Sequence, residues 1–260
     1  MSSHYRMVAF DLDDTLAPSK SPMPPRMAEA LVELLDCADV CIISGGNVTQ
    51  FEKQVLDQLV AGESALEHLH LMPTCGTRYM RFQDGRWVTV YAHDLTDDER
   101  TSAVTSLRER AAELGLWEDQ TWGDVIEDRG SQITFSALGQ EAPIDAKRAW
   151  DPDGSKKEAL REAVAGDLPD LEVRSGGSTS IDITRAGVDK AFGITRLSEY
   201  TGVAFDDMIF VGDRLDPGGN DYPVVALGCK TYAVRNWEDT ADLVERLVDC
   251  FPAETRKASV

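Results

Sequence analysis

The first apolar run of the chain, residues 7–10, stops abruptly at Asp11-Leu12-Asp13-Asp14-Thr15. A helical pattern begins near Pro25, where Met27, Ala30, Leu31, Leu34 and Leu35 recur at spacings that place them on one face. Strand, loop and helix are thus predicted in that order. The pattern repeats at once. A run rich in β-branched residues over 40–43 ends at Ser44-Gly45-Gly46, and a helix is expected over 48–60. Much later, 208–211 forms another apolar run closing at Gly212-Asp213, and 230–234 supplies a further strand before a helix over 239–248.

Alternating strands and helices predict an α/β fold: a Rossmann-like parallel sheet core with helices on both faces. Ligands of such sheets bind beyond the carboxyl ends of the strands, which is where Asp11, Ser44 and Asp213 fall. The middle of the chain has a different character. Segments 87–91, 132–136 and 179–183 read as half-buried strands, and 97–114 and 155–165 as amphipathic helices. Residues 89–185 are therefore expected to form an inserted α+β cap domain packed over the active end of the sheet. Residues 1–88 and 186–260 make the core. No internal repeat or low-complexity segment interrupts this plan.

Composition narrows the function classes. In 260 residues, 46 acidic against 26 basic side chains give a formal net charge of −20. Such a chain repels nucleic acid and anionic membrane surfaces, so neither is an expected partner. The same charge opposes anionic substrates, and a phosphate site here needs a metal ion and local cations. There is no apolar run of about eighteen residues, and no signal-peptide pattern precedes the first strand, so a cytoplasmic location is expected. Five cysteines without a CxxC pair suit reduced thiols better than a disulfide framework or a zinc site. His68 and His70 alternate with leucines, with no third ligand in evidence.

Asp11 and Asp13 stand two apart just after a buried strand, where unpaired carboxylates are costly unless a cation binds them. One can attack as a nucleophile while the other exchanges a proton with the leaving oxygen. Taken alone, Asp13, Asp14 and Thr15 serve equally well as a turn or helix cap. Ser44, its neighbour Gly45 and the following helix start offer a hydroxyl and amides for phosphate oxygens, although Asn47 as N-cap accounts for much of the same pattern. Lys190 sits at a helix start, unfavourable for a cation unless an anion lies near; a solvated surface lysine is the plain alternative. The segment from Gly212 to Asp221 gathers further acids around a glycine-bearing loop, and hard oxygen ligands of this kind suit Mg²⁺.

Together these residues resemble the four dispersed motifs of the haloacid dehalogenase superfamily: Asp11-Leu12-Asp13-Asp14-Thr15-Leu16, Ser44, Lys190, and Gly212-Asp213 through Asn220-Asp221. The insertion is similar to the larger C2B-type cap of its IIB branch. Within that branch the chain is most similar to the eukaryotic-type phosphomannomutases, through Gly176-Gly177-Ser178-Thr179-Ser180-Ile181-Asp182, Gly187-Val188-Asp189-Lys190 and Pro217-Gly218-Gly219-Asn220-Asp221. The resemblance implies that Asp11 is phosphorylated, that Asp13 is the acid and base, and that Ser44 and Lys190 orient the phosphoryl group. It implies Mg²⁺ held by Asp11, the Asp13 carbonyl and Asp213, with Asp221 close by. It further implies substrate contacts from Lys20, Gly45, Arg129, Ser180 and Asp182.

One departure bears on the reaction. Gln140 stands where the family has a cap arginine, and Lys147 or Arg148 is the nearest substitute for a second. A neutral amide cannot form an arginine's charged fork on phosphate. The expectation is a phosphatase acting on a small sugar phosphate, with a hexose-phosphate mutase using a 1,6-bisphosphate activator as the alternative. A non-catalytic binding protein is disfavoured because Asp11, Asp13 and Asp213 are all present. The oligomeric state is left open, a homodimer included.

Overall fold

A computed structural model of the chain describes residues 5–251. These divide into two compact units: residues up to Ala92 together with those from Val188 on, and His93–Gly187 between them. The first unit opens with β1 (Met7–Phe10), α1 (Pro25–Leu35), β2 (Asp39–Ile43), α2 (Val48–Gln54), α3 (Glu63–Leu66), β3 (Leu69–Met72), β4 (Arg78–Gln83) and β5 (Arg86–Ala92). The second contains α4 (Asp97–Glu113), β6 (Ile126–Asp128), β7 (Gln132–Ser136), α5 (Ile144–Trp150), α6 (Ser155–Asp167), β8 (Leu171–Ser175) and β9 (Ser180–Arg185). The chain then completes the first unit with α7 (Lys190–Thr201), β10 (Met208–Gly212), α8 (Tyr222–Val225), β11 (Lys230–Ala233) and α9 (Trp237–Cys250).

The large sheet runs β11-β10-β1-β2-β3-β4-β5, parallel from β11 to β3 and antiparallel over the last two strands. Its central strands β1 and β10 are apolar on both faces because each face is covered. Along β1, Val8 and Phe10 enter a core built with α1 and α9, while Met7 and Ala9 enter another with Ile194 and Leu197 of α7. Successive side chains of a strand point to opposite faces, so one short run serves both layers. Among the described residues no helix is long and apolar enough to cross a membrane.

The expected helix over 48–60 is shorter than its pattern. It ends at Gln54, where Val55 leaves helical geometry (φ −115°, ψ −65°), and Leu56–Gln58 adds a single 3₁₀ turn. The expected insertion over 89–185 also shifts, since β5 continues through Ala92 as the partner of β4. Asp84 and Gly85, both at positive φ, close a two-residue hairpin loop, and Trp87 packs edge-on to Phe82 at 5.6 Å. Residue 89 therefore belongs to the large sheet. Alternation over 87–91 signals a strand but not which sheet it joins.

In the second unit the antiparallel sheet β6-β7-β9-β8 sorts its two faces cleanly. Ile133, Phe135, Val173, Ile181 and Ile183 meet Leu107 and Ala111 of α4 and Leu160 and Val164 of α6. The other face is polar, with Thr134 opposite Asp182 and Ser136 opposite Ser180. Helix α4 starts on a reciprocal cap between Thr96 and Glu99. Arg185 also binds Glu99 and, with the Thr96 amide, holds its carboxyl down near 2.

One buried group on β3 makes stability depend on pH. His70 is enclosed and bonds Tyr79 Oη through Nδ1 at 2.7 Å, while its Nε2 has no partner among the described residues. Burial, reinforced by Arg81 and His68, pushes the imidazole down to about 3. The unfolded chain takes up this proton near pH 6.5 and the folded one does not, so stability present above 6.5 is lost as pH falls toward 3. Between pH 7 and 5 the loss amounts to about 2 kcal/mol. Urea unfolding at the two pH values checks this: His70→Gln should narrow the wild-type gap by that amount, and an unchanged gap would remove His70 as its source.

Candidate active site

The register of the central strands builds the site. Phe10 lies opposite Val211 on one side and Ile42 on the other, so Asp11, Asp213 and Ser44 emerge at adjacent strand ends. The Asp11 amide donates to Val211 O at 3.0 Å, continuing the ladder one residue past β1. Beyond β10, the loop folds back through Gly219 N to Asp216 O (2.8 Å) and Asp221 N to Arg214 O (3.2 Å). This return delivers Asp221, fully buried, against Gly212, where a Cβ would lie 2.3 Å from Asp221 Oδ2. Only glycine admits the carboxylate there. Asp11, Asp213 and Asp221 consequently offer ligand oxygens all within 4.8 Å of one another.

Lys190 is the first residue of α7, which Asp189 caps by accepting from Phe192 N at 2.8 Å. Gly193 lets this helix approach closely, since a Cβ there would come within 2.7 Å of Cys75 O. The ammonium, 1% exposed, donates to Asp11 Oδ1 and to Asp221 Oδ1, the latter at 2.5 Å. The anion inferred beside this helix-start cation is therefore a pair of carboxylates. Thr15 Oγ1 adds a long contact to Asp11 Oδ2, 3.5 Å.

One ammonium does not balance three carboxylates. Burial pushes the Asp11 carboxyl up to about 7, with Lys190 pulling it down and Asp221 pushing it up. Asp213 is likewise raised, by burial first and then by Asp221. Burial drags the Lys190 ammonium down, but Asp11 and Asp221 outweigh it and leave the group above its ordinary range. Excess negative charge on hard oxygens, only partly neutralised, is a donor set that fits a divalent cation of the Mg²⁺ type.

Asp13 is not part of that cluster. Its Oδ1 accepts from the Lys20 amide (2.7 Å) and Gln54 Nε2 (3.2 Å), and its Oδ2 from Gln50 Nε2 (3.1 Å). Lys20 thus acts on the site through its backbone, held at φ 55°, while its side chain is exposed. Sequence reasoning missed both glutamines. The available signal was their four-residue spacing on the helix after β2, which places them on one face. Ser44 Oγ accepts from Gly46 N at 3.1 Å, and the loop through Gly45 is pinned by Cys75 N to Ser44 O and Thr74 N to Gly46 O, both 2.9 Å.

Arg129, Ser180 and Asp182 lie on the same polar face of the second unit's sheet. The Arg129 guanidinium pairs with Glu127 Oε2 at 2.7 and 3.0 Å. Asp182 Oδ1 accepts from Gln132 Nε2 (2.9 Å) and Thr134 Oγ1 (2.7 Å). Cross-strand register sets Arg174 opposite Asp182 on the far side. Gln140 has a buried Nε2 without a partner among the described residues, and its main-chain carbonyl accepts from Lys147 Nζ at 3.0 Å.

Comparison with known proteins gives this geometry a family. The solved structure of a haloacid dehalogenase-like hydrolase from Bacteroides thetaiotaomicron shares the fold, with a TM-score of 0.60 at 15% identity, covering 94% of this chain and 99% of the other. N-terminally truncated IMP-nucleotidase of Plasmodium falciparum does so with a TM-score of 0.66 at 14% identity, covering 93% and 69%. In sequence, phosphomannomutase 1 of Homo sapiens is 25% identical over 227 residues, 84% of this chain and 82% of its own. The phosphomannomutase of Schizosaccharomyces pombe is 24% identical over 225 residues, 84% of each. The family model of eukaryotic phosphomannomutases matches residues 27–250. That span starts after Asp11 and Asp13, whose place at the site comes from the β1 geometry instead. The chain belongs to the eukaryotic phosphomannomutase family, a group of phosphotransferase enzymes, and it shares the fold of a haloacid dehalogenase-like hydrolase.

Proposed function

We propose that the chain is a Mg²⁺-dependent phosphoryl-transfer enzyme that forms an aspartyl-phosphate on Asp11 and acts as a phosphatase on a small sugar phosphate. The observation that carries this reading is the buried Asp11 carboxylate at the end of β1, touching Lys190 and clustered with Asp213 and Asp221. Asp11, Asp213 and Asp221 would hold Mg²⁺, with the Asp13 carbonyl as a further ligand, and the ion supplies charge stabilisation for the transferring phosphoryl group.

The residues of the chain divide the remaining work. The Asp11 carboxylate attacks phosphorus, and the bond from phosphorus to the sugar oxygen breaks. Asp13 gives its proton to that oxygen and later takes one from the water that cleaves the aspartyl-phosphate. Lys190 offsets charge beside Asp11, while Ser44 and the Gly45 amide hold phosphoryl oxygens. Arg129, Ser180 and Asp182 of the His93–Gly187 unit, the unit read as the cap, contact the rest of the substrate, and Lys20 serves through its amide on Asp13.

A second reading, hexose-phosphate mutase, is favoured by the family match itself. Both reactions share the first step and differ in whether water or a sugar hydroxyl takes the phosphoryl group. Gln140 favours water. A neutral amide at a position where the family carries arginine weakens the hold on the bisphosphate that a mutase must retain and turn around.

Three measurements test these statements. Asp11→Asn should fold normally and lose turnover by at least about a thousandfold; substantial residual turnover excludes Asp11 as nucleophile. EDTA should inhibit and Mg²⁺ restore the rate, while Mg²⁺ should raise the Tm of the wild type and much less that of Asp213→Asn. Metal-independent turnover and equal thermal shifts would exclude the assigned ligands. Incubation with mannose 1-phosphate or glucose 1-phosphate, with and without the corresponding 1,6-bisphosphate, separates the two reactions. Free phosphate marks the phosphatase, and activator-dependent 6-phosphate marks the mutase.

A further inference from the structure

Two glutamines on α2 stand outside the mechanism described so far. Gln50 and Gln54 are one helical turn apart and point their amides to the same side. Gln54 is 3% exposed; its Nε2 also donates to Ser21 O at 2.8 Å, its main-chain carbonyl accepts from Met23 N at 2.9 Å, and its side-chain Oε1 is buried without a hydrogen-bond partner among the described residues. The Gln50 side chain passes directly over Gly46, where a Cβ would lie 2.4 Å from Gln50 Oε1. Both amides end on Asp13, one on each carboxylate oxygen.

The distribution of donors is unequal. A carboxylate oxygen has about two lone-pair sites. Oδ1 receives two donors, the Lys20 amide and Gln54 Nε2, and is therefore filled. Among the described residues Oδ2 receives only Gln50 Nε2, which leaves one site there for a proton. Without these amides the carboxyl would be free to turn about its bond to Cβ and present either oxygen.

We infer that Gln50 and Gln54 are positioning residues for the general acid: they lock the Asp13 carboxyl so that its transferable proton resides on Oδ2 and is aimed at the leaving oxygen. This rests on the proposed role of Asp13 as acid and base. In the step concerned, the bond between phosphorus and the sugar oxygen breaks, its electron pair stays on that oxygen, and the oxygen takes the Oδ2 proton. Phosphorus becomes bonded to Asp11. The contribution matters most for a poor leaving group. A sugar alkoxide needs the proton, whereas p-nitrophenolate departs without it.

The test compares the wild type with Gln50→Met, Gln54→Met and the double variant, each close in volume to the original. Rapid quench measures the single-turnover rate of phosphoenzyme formation from p-nitrophenyl phosphate and from whichever of mannose 1-phosphate or glucose 1-phosphate reacts faster. The hexose phosphate rate should fall by about ten- to a hundredfold, with p-nitrophenyl phosphate staying within about twofold. Gln50→Met should be the more damaging single change, because the Lys20 amide still holds Oδ1 when Gln54 is lost. Equal losses on both substrates, or no loss on either, in variants that keep the wild-type Tm would overturn the inference. Should a methionine variant fold poorly, Gln50→Glu, which sets an acceptor against Oδ2, must show the same substrate split. Retained turnover in Asp11→Asn would sink the aspartyl-phosphate reading itself; an inactive Asp11→Asn with no substrate split sinks only the inference about the glutamines.

Discussion

An ammonium ion buried between two carboxylates holds the working end of the large sheet together. Lys190 begins α7, Asp11 follows β1 and Asp221 precedes α8, so this one interaction joins segments 179 and 31 residues apart. Removing one partner from such a buried pair typically costs about 3–5 kcal/mol, because the other charge is left without compensation. Apolar residues of the same volume would often be as stable or more so. Three acids against one lysine are therefore poor material for stability alone. They are suited to a site whose charge is completed by a cation and a phosphoryl group.

Other features of the first unit follow from making room for that cluster. Gly212 admits the Asp221 carboxylate against β10, and Gly193 lets α7 approach the loop at Cys75, which brings Lys190 within reach. The paired aspartates then part company. Asp11 sits in an under-neutralised pocket that raises its carboxyl, while Asp13 turns toward neutral amides on α2. Two carboxyl groups only two residues apart thus acquire different environments, one beside a buried ammonium and the other beside neutral amides.

The second unit applies the same economy to a sheet. Its inner face meets two helices through isoleucines, valine and phenylalanine, which leaves the other face to Gln132, Thr134, Ser180 and Asp182. Glu127 pairs with the Arg129 fork, and Gln132 and Thr134 donate to Asp182, so the fold itself holds these side chains in place. Gln140 differs in this company, for its Nε2 is buried without a hydrogen-bond partner among the described residues.

Much of this was legible in the sequence, because local periodicity reports which side of a segment is apolar. The strands at 7–10, 40–43 and 208–211, the helices from Pro25 and Asp97, and the acids at strand ends all follow from patterns a few residues long. Those patterns carry no information on long-range pairing. That residue 89 extends the large sheet, that Lys20 serves Asp13 through its amide, and that Gln50 and Gln54 embrace the same carboxylate depends on tertiary neighbours. The sequence by itself determined the kinds of groups and their places on strand and helix ends. The order β10-β1-β2 and the close approach of α7 decided which groups meet, since strand pairing and helix packing are set by contacts between residues far apart in the chain.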